Sequence, residues 1–341
     1  MQNQLPPVAP AKSLRPRGVL GVFFGGMGPV RARRGARRLS FLAAALLLLL
    51  TAKGWAAETF RLATFNVENY LDFQEGTRPV KTAEERAKVR ESILAAHPDV
   101  LALQEMGSLT AMKELHDALG SAGLSFPYLE HAAGYDTNIF VAIFSRFPIV
   151  ARRSHTNDSF LLDGRRFRIS RAFAAVDIQV NPYYKFTLID VHLKSRRASV
   201  AADESDMRYE EARLLREMVD AELGRNPNLN LAVVGDFNDL RSSRPLKAVI
   251  GKGRFGLIDT RPAERNGDTA PNPEPHYAPR TITWTHYFGR DDSYTRIDYI
   301  LLSHGMNREW LPEETFIPRV PNWGLASDHR PVVAGFVAQD Q

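Results

Sequence analysis

The sequence predicts an α/β fold in which two mixed β-sheets pack face to face and helices cover the outer faces. Three observations carry that expectation. Short apolar runs recur along the chain and alternate with helix-length amphipathic segments. Five compact polar islands lie at one end or the other of these runs: Thr64-Phe65-Asn66-Val67-Glu68-Asn69, Leu103-Gln104-Glu105, Gly235-Asp236-Phe237-Asn238-Asp239, Arg296-Ile297-Asp298-Tyr299-Ile300 and Ser327-Asp328-His329-Arg330-Pro331. No linker, repeat or shift of composition divides residues 58–341, which therefore read as one domain.

The elements follow in order. Phe60 to Phe65 alternates and ends at Asn66, as a strand does. Thr82-Ala83-Glu84-Glu85 is a capping-box pattern and opens a helix through about Ala96, which His97-Pro98-Asp99 breaks. Val100 to Leu103 is a short strand ending at Glu105, and Ser108 to Leu119 a helix. Asn138 to Ser145 is strand-like, and Arg171 to Val180 and Lys185 to Leu193 form two strands around the turn Asn181 to Tyr184. Asp203 to Leu223 is a helix with Leu214, Leu215, Met218 and Leu223 on its apolar face. Asn230 to Val234, Ile297 to Leu302 and Val332 to Val337 are the remaining strands; Arg261 to Arg280, rich in Pro, Asn and Gly, is a long surface loop.

The formal charge of +5 belongs to the start of the chain. Residues 1–57 hold nine Lys or Arg and no acid, whereas the remainder carries 35 basic and 39 acidic residues, a net of −4. Bulk charge thus lends no support to nucleic-acid binding. Within residues 1–57, Arg31 to Arg38 form a positive region, Leu39 to Leu50 an apolar run, and Lys53-Gly54-Trp55-Ala56-Ala57 a small-residue stretch, the pattern of a secretory signal cleaved after Ala56 or Ala57. The apolar run is shorter than the roughly 20 residues of a membrane span, so a retained anchor is the alternative and no membrane contact is expected after cleavage. Met27 is a candidate true start. A secreted or periplasmic location follows. With no cysteine in the chain, disulfides and thiolate zinc sites are excluded.

If the five islands meet at one end of the core, they assemble carboxylates, amides and an imidazole, a set suited to a divalent metal and acid/base chemistry on a phosphate ester. Glu105 ends an apolar run, where a carboxylate is costly unless paired or metal-bound. Asp236 and Asn238 point to one side if their segment stays extended. His329 beside a carboxylate would be held in one tautomer with a raised pKa.

These motifs resemble the endonuclease/exonuclease/phosphatase superfamily, which includes deoxyribonuclease I, exonuclease III-type abasic nucleases, bacterial sphingomyelinases and inositol polyphosphate 5-phosphatases. The resemblance runs from Phe60 to about Val337. It implies a deoxyribonuclease I-like four-layer sandwich, two mixed sheets flanked by helices. It makes Glu105 the principal Mg²⁺ ligand (Mn²⁺ being an alternative ion), with Asn66 and Asp328 at the metal or phosphate. It assigns Asp236 to the attacking water, Asn238 to positioning the phosphate, and Asp298 to pairing with His329, which acts as base or electrostatic clamp. His192 stands where abasic nucleases usually carry Tyr and where deoxyribonuclease I, sphingomyelinases and 5-phosphatases carry His. Its orienting partner is not evident, Asp136 being a weak candidate.

Lys194, Arg196 and Arg197 follow His192, and Arg165, Arg166, Arg168 and Arg171 cluster upstream. They read either as a phosphate track or as solvated faces. Trp284 to Phe288 reads as core packing or as a base-stacking surface, with core packing preferred. The favoured reading is a secreted, metal-dependent, sequence-nonspecific endonuclease with nucleic acid as substrate and no stable protein partner. The alternatives are a sphingomyelinase-type phospholipase C, a phosphomonoesterase and a non-catalytic binding module.

Overall fold

A computed structural model describes residues 58–265 and 281–340. The leader reading and most of the predicted 261–280 loop lie outside these residues. The chain begins with β1 (Thr59–Tyr70) and α1 (Ala83–Ala96), whose capping box forms: the Thr82 hydroxyl accepts from Glu85 N at 3.2 Å and Glu85 accepts from Thr82 N at 2.6 Å. His97 ends α1 in the left-handed region. Next come β2 (Val100–Met106), α2 (Leu109–Ser121) capped by Ser108, β3 (Tyr128–Ala132), β4 (Phe140–Ser145) and β5 (Ile149–Arg152). A hairpin, β6 (Ser159–Leu162) and β7 (Arg165–Arg168), precedes β8 (Ala174–Asn181) and β9 (Tyr184–His192). Asp203 caps α3 (Glu204–Arg225), which leads to β10 (Leu231–Asp236), α4 (Arg244–Ile250) and β11 (Ile258–Asp259). The hairpin β12 (His286–Phe288) and β13 (Ser293–Thr295), then β14 (Asp298–Leu302), β15 (Trp310–Phe316) and β16 (Val332–Val337) complete the described chain.

Two six-stranded mixed sheets result, ordered β15-β16-β1-β2-β4-β3 and β11-β14-β10-β9-β8-β5. Each has one parallel pair near its centre, β1 with β2 and β9 with β10, joined through α1 and α3 respectively. Burial divides into three apolar layers. Leu62, Ala102, Val141, Leu188, Val234, Ile300 and Phe336 fill the space between the sheets. Phe65, Leu101 and Leu103 turn the other way, toward Val89, Ile93, Leu115 and Leu119 of α1 and α2. Val191, Val233 and Leu301 likewise meet Leu215, Val219 and Leu223 of α3. The central strands are therefore buried on both faces, which is why they read as continuous apolar runs. The architecture is the expected four-layer sandwich.

Candidate active site

Strand register delivers the first part of the site. His192 ends β9 beside Asp236 at the end of β10, and Asp236 pairs with Asp298 at the start of β14. Three neighbouring strands thus place three functional side chains in one row, about 4.8 Å apart per strand. In the facing sheet, Asn66 of β1 is level with Gln104 of β2. Register shifts follow at once, between Asn66 and Tyr70 in one ladder and between Leu103 and Met106 in the other. Glu68, Asn69, Glu105 and Asn238 all take positive φ, at 45°, 52°, 60° and 53°. Strained backbone of this kind concentrates at functional sites, where it re-aims side chains that a regular strand would bury. Ser327 docks the last island. Its buried hydroxyl donates to Asn66 O at 2.8 Å and accepts from His329 N at 3.0 Å.

His329 Nδ1 lies 2.9 Å from Asp298 Oδ2 and 3.1 Å from Oδ1, and Thr285 donates its hydroxyl to the same Oδ2 at 2.6 Å. Nε2 is left facing the mouth, 3.7 Å from Asp236 and 3.8 Å from Asp328. Burial alone would lower this imidazole's pKa, but Asp298, Asp236 and Asp328 together hold it well above the usual histidine value. His192 has the opposite environment. Burial, then the positive charge of Arg171, push its pKa well below normal. Its Nε2 is 3.5 Å from Asp236 Oδ2, so a cationic and a neutral imidazole flank one carboxylate. Burial and the neighbouring Asp298 raise Asp236 to about 6 against the opposing charge of His329. Groups whose environments drive their pKa values apart are how one site holds an acid and a base together.

Asn238 reaches Asp236, though not along an extended segment. A left-handed turn brings Asn238 N to 2.7 Å from Asp236 Oδ1 and its amide Nδ2 to 3.1 Å from Oδ2. Asn66 lies among the same carboxylates. Its amide oxygen accepts from Glu68 N at 2.9 Å, which directs Nδ2 to Asp236 at 3.1 Å and Glu105 at 3.4 Å. In this orientation its amide nitrogen organises the two carboxylates.

Glu68 is the acid that sequence reasoning passed over. It accepts from Asp328 N at 3.1 Å, lies 3.6 Å from Lys81, and shares the rim with Glu105 and Asp328. Burial, then Asp328, raise its pKa, and Glu105 adds to the effect. Mutual repulsion among these carboxylates is what a bound cation would relieve, and an all-oxygen rim suits a hard ion. Among the described residues, two groups bring three side-chain donors within 4.8 Å of one another: His286 with Asp328 and His329, and Asp236 with Asp298 and His329. Asp298 is engaged by His329 and Thr285, so the second group reads as a hydrogen-bonded network rather than a ligand set. Asp328 with His286 and His329, next to the carboxylates of Glu68 and Glu105, makes an acidic and histidine site of a kind that suits a divalent cation.

Several expectations around the mouth need correction. Asp136 does not orient His192. It sits 3.9 Å from both Arg171 and Arg78, and His192 Nδ1 has no protein partner. Arg196 is already engaged on one side: its Nε donates to Asn238 O at 3.0 Å and its Nη2 lies 3.4 Å from Asp239, bracing the Asn238 turn. Lys194 and Arg197 do line an open groove, with Lys194 donating to Ser195 O and Arg197 O. The Trp284 to Phe288 stretch is not core. Only Thr285 is fully buried; His286 and Tyr287 lie in the hairpin over His329, and Phe288 is 42% exposed. His286 Nε2 approaches Asp328 at 3.7 Å. A histidine inside an aromatic run reads as packing from the sequence.

A four-layer sandwich with paired carboxylates, two imidazoles in opposite states and an oxygen-rich rim defines a phosphoester-hydrolase type of site. A family model, described as Endonuclease/Exonuclease/phosphatase family, matches residues 63–329. The chain belongs to that family, whose members are hydrolases of phosphoester bonds and are generally dependent on divalent metals. No curated protein gives a significant sequence match. Among solved structures, the fold is similar to sphingomyelinase C from Streptomyces griseocarneus, with TM-score 0.55, 18% identity, and 82% of this chain and 99% of that one covered. It is also similar to the human Nocturnin catalytic domain, with TM-score 0.56, 17% identity and coverage of 82% and 94%. A truncated Caenorhabditis elegans TDP2 gives TM-score 0.51 at 14% identity, covering 82% and 98%. These likenesses establish the fold.

Proposed function

We propose that the protein is an exported, metal-dependent phosphodiesterase acting as a nuclease with little sequence preference. The observation that carries this reading is the cationic groove beside His192, lined by six Lys or Arg and one carboxylate in a domain of net charge −4. Such a footprint suits a polyanion. His329, locked by Asp298, presents Nε2–H to a phosphoryl oxygen and stabilises charge there. Asp236, poised near 6, takes the proton of the attacking water. Neutral His192 sits on the other side of Asp236, where it can donate to a non-bridging or leaving oxygen. A divalent ion at Glu105 and Asp328 would supply Lewis-acid polarisation of the phosphoryl group.

Assay of the purified domain with Mg²⁺ against supercoiled plasmid, sphingomyelin and a phosphomonoester panel tests the reading. Nicking of plasmid that EDTA abolishes and Mg²⁺ or Mn²⁺ restores is expected. Glu105→Gln should shift the metal concentration needed for activity more than it shifts substrate affinity. Hydrolysis of sphingomyelin or a monoester with plasmid untouched would move the protein to another substrate class, and activity indifferent to EDTA would remove the metal. Export predicts a mature amino terminus at Ala57 or Glu58, which mass spectrometry of protein from the producing cell reads directly.

A further inference from the structure

The groove beside His192 is assembled by a buried acid that no catalytic step uses. Glu211 of α3, 1% exposed, accepts from Ser170 N at 2.7 Å and from Lys194 N at 2.6 Å. It thereby ties the segment entering β8 to the segment leaving β9, and sets Arg171 and Lys194 side by side. The loop before β4 docks on the same segment. Asp136 N donates to Ser170 O at 2.9 Å, and Gly134 packs so closely that a Cβ there would lie 2.5 Å from Ala172 N. This loop presents Tyr135, 66% exposed. The β6–β7 hairpin supplies the opposite rim with exposed Arg166 and Arg168, and the Arg168 guanidinium lies 5.7 Å from the Tyr135 ring centre.

One cation of this groove, Arg171, is incompletely satisfied. Arg171 is 7% exposed, yet its closest carboxylate, Asp136, is 3.9 Å away, and its buried Nε has no partner. Arg78 shares the same Asp136 at the same distance. A buried guanidinium without a hydrogen-bonded acceptor is costly. An anionic ligand entering the groove of about 1100 Å³ would satisfy it.

Building on the nuclease reading above, we infer that this groove is a binding track for one nucleic-acid strand, taking phosphates beyond the scissile one on Arg171, Arg78 and the hairpin arginines and stacking a base on Tyr135. A cationic channel interleaved with an exposed aromatic ring is the chemistry by which single strands are held without sequence readout. A membrane headgroup would engage one phosphate and leave the hairpin arginines and Tyr135 unused.

The test separates binding from turnover. Anisotropy of a fluorescent oligothymidylate of about 12 nucleotides, within the usual range of single-strand sites, is followed in EDTA across a salt series. Arg166→Ala/Arg168→Ala should weaken binding at least ten-fold and flatten the log K against log salt slope by roughly 1.4, about 0.7 for each lost phosphate contact. The same variant should keep the wild-type thermal unfolding midpoint, so that the loss of binding is not a loss of fold. Tyr135→Ala should lose roughly ten-fold affinity for the oligothymidylate and none for an abasic strand of equal charge. Wild type that does not bind the strand, or variants that bind it unchanged, overturn the track. If the variants lose binding but wild type cuts no nucleic acid, the track stands and the nuclease reading falls. If wild type cuts nucleic acid while the variants bind and cut as well as it does, the nuclease reading stands and the track falls.

Discussion

Asp298 holds His329 through Nδ1 at 2.9 Å while Thr285 occupies the same carboxylate oxygen from the other side at 2.6 Å. One acid therefore fixes the tautomer, the ring plane and the charge of the imidazole. Asp298→Asn should keep the fold but lower kcat by about 10²–10⁴-fold, the usual range for disabling one proton-transfer or charge-stabilising group, with little change in KM. His329→Ala should lose at least as much. The double variant should be no worse than His329→Ala alone, because the pair acts as a unit. Additive losses measured by steady-state kinetics on the same diester would show that Asp298 acts independently of His329.

Gly235 sits one residue before Asp236 with φ at 128°, and a Cβ there would lie 2.0 Å from Val191 O. Gly235→Ala must push β10 away from β9, the two strands that carry Asp236 and His192. Overpacking of this kind costs about 1–3 kcal/mol or more. Gly253 also has positive φ, at 66°, but nothing lies within 4 Å of its Cβ position. Gly253→Ala should cost only the backbone strain, on the order of 1 kcal/mol, and leave activity intact. Thermal unfolding and turnover of the two variants should separate clearly; equal effects would mean that φ, and not the close approach, is what Gly235 supplies.

The sequence made some parts of this molecule legible and hid others for physical reasons. The long elements buried on two faces, such as β1, β10 and β16, announce themselves as apolar runs, and Thr82, Ser108 and Asp203 mark helix starts by capping chemistry. The islands were visible because five of them occur in order, each beside an apolar run, although any one alone reads as an ordinary turn or solvated strand end. The hairpins β6–β7 and β12–β13 were not, since strands of four and three residues with exposed faces carry no period. Strand β15 hides behind Pro312 and two glutamates, as an edge strand does. Partner choice was the least legible. Nothing in the segment Lys194 to Arg197 distinguishes Arg196, which braces Asn238, from Arg197, which faces the groove. Likewise, Glu211 lies on an ordinary-looking helix face until the structure shows what it holds.

Arg296, two residues before Asp298, makes a two-pronged pair with Asp259 at 2.8 and 2.6 Å, and the Asp259 side chain is nearly completely buried. Burial opposes ionisation of Asp259, but Arg296 outweighs it and holds the pKa below the usual carboxylate value. A depressed folded pKa stabilises the protein above the unfolded value near 4 and loses that contribution as pH falls through the folded value. Asp259→Asn leaves Arg296 unpaired and should cost about 3–5 kcal/mol near neutrality. The gap between wild type and variant, read by urea unfolding, should narrow as pH drops below about 4. A gap that stays constant into acid would show that the pair contributes through shape and not charge.

Asp190 should behave in the opposite sense. It is fully buried between the sheets, where Gln104 Nε2 donates to its Oδ1 at 2.7 Å and to Thr64 Oγ1 at 2.9 Å. Asp190 Oδ2 and Gln104 Oε1 are both buried without a partner. Burial raises the Asp190 pKa well above normal, against the hydrogen bonds from Gln104 and the Val191 backbone. A protonated Asp190 has an Oδ2–H to offer, and Gln104 Oε1 is the unsatisfied acceptor on its partner, so acid and amide complement each other as a cyclic pair. The linkage sign follows. A raised folded pKa gives stability that is fully present below the unfolded value near 4 and is lost as pH rises through the folded value. Asp190→Asn supplies the same donor and acceptor without a titrating proton. It should therefore be more stable than wild type at neutral pH, and the advantage should vanish as pH falls toward about 4. Glu or Ala at this position would not reproduce the match and should destabilise at every pH. Urea unfolding of wild type and Asp190→Asn across that range reads the crossover. An Asn variant less stable than wild type at neutral pH would mean that Asp190 is ionised in the folded protein and that its charge, not its proton, holds the two sheets in register beneath His192.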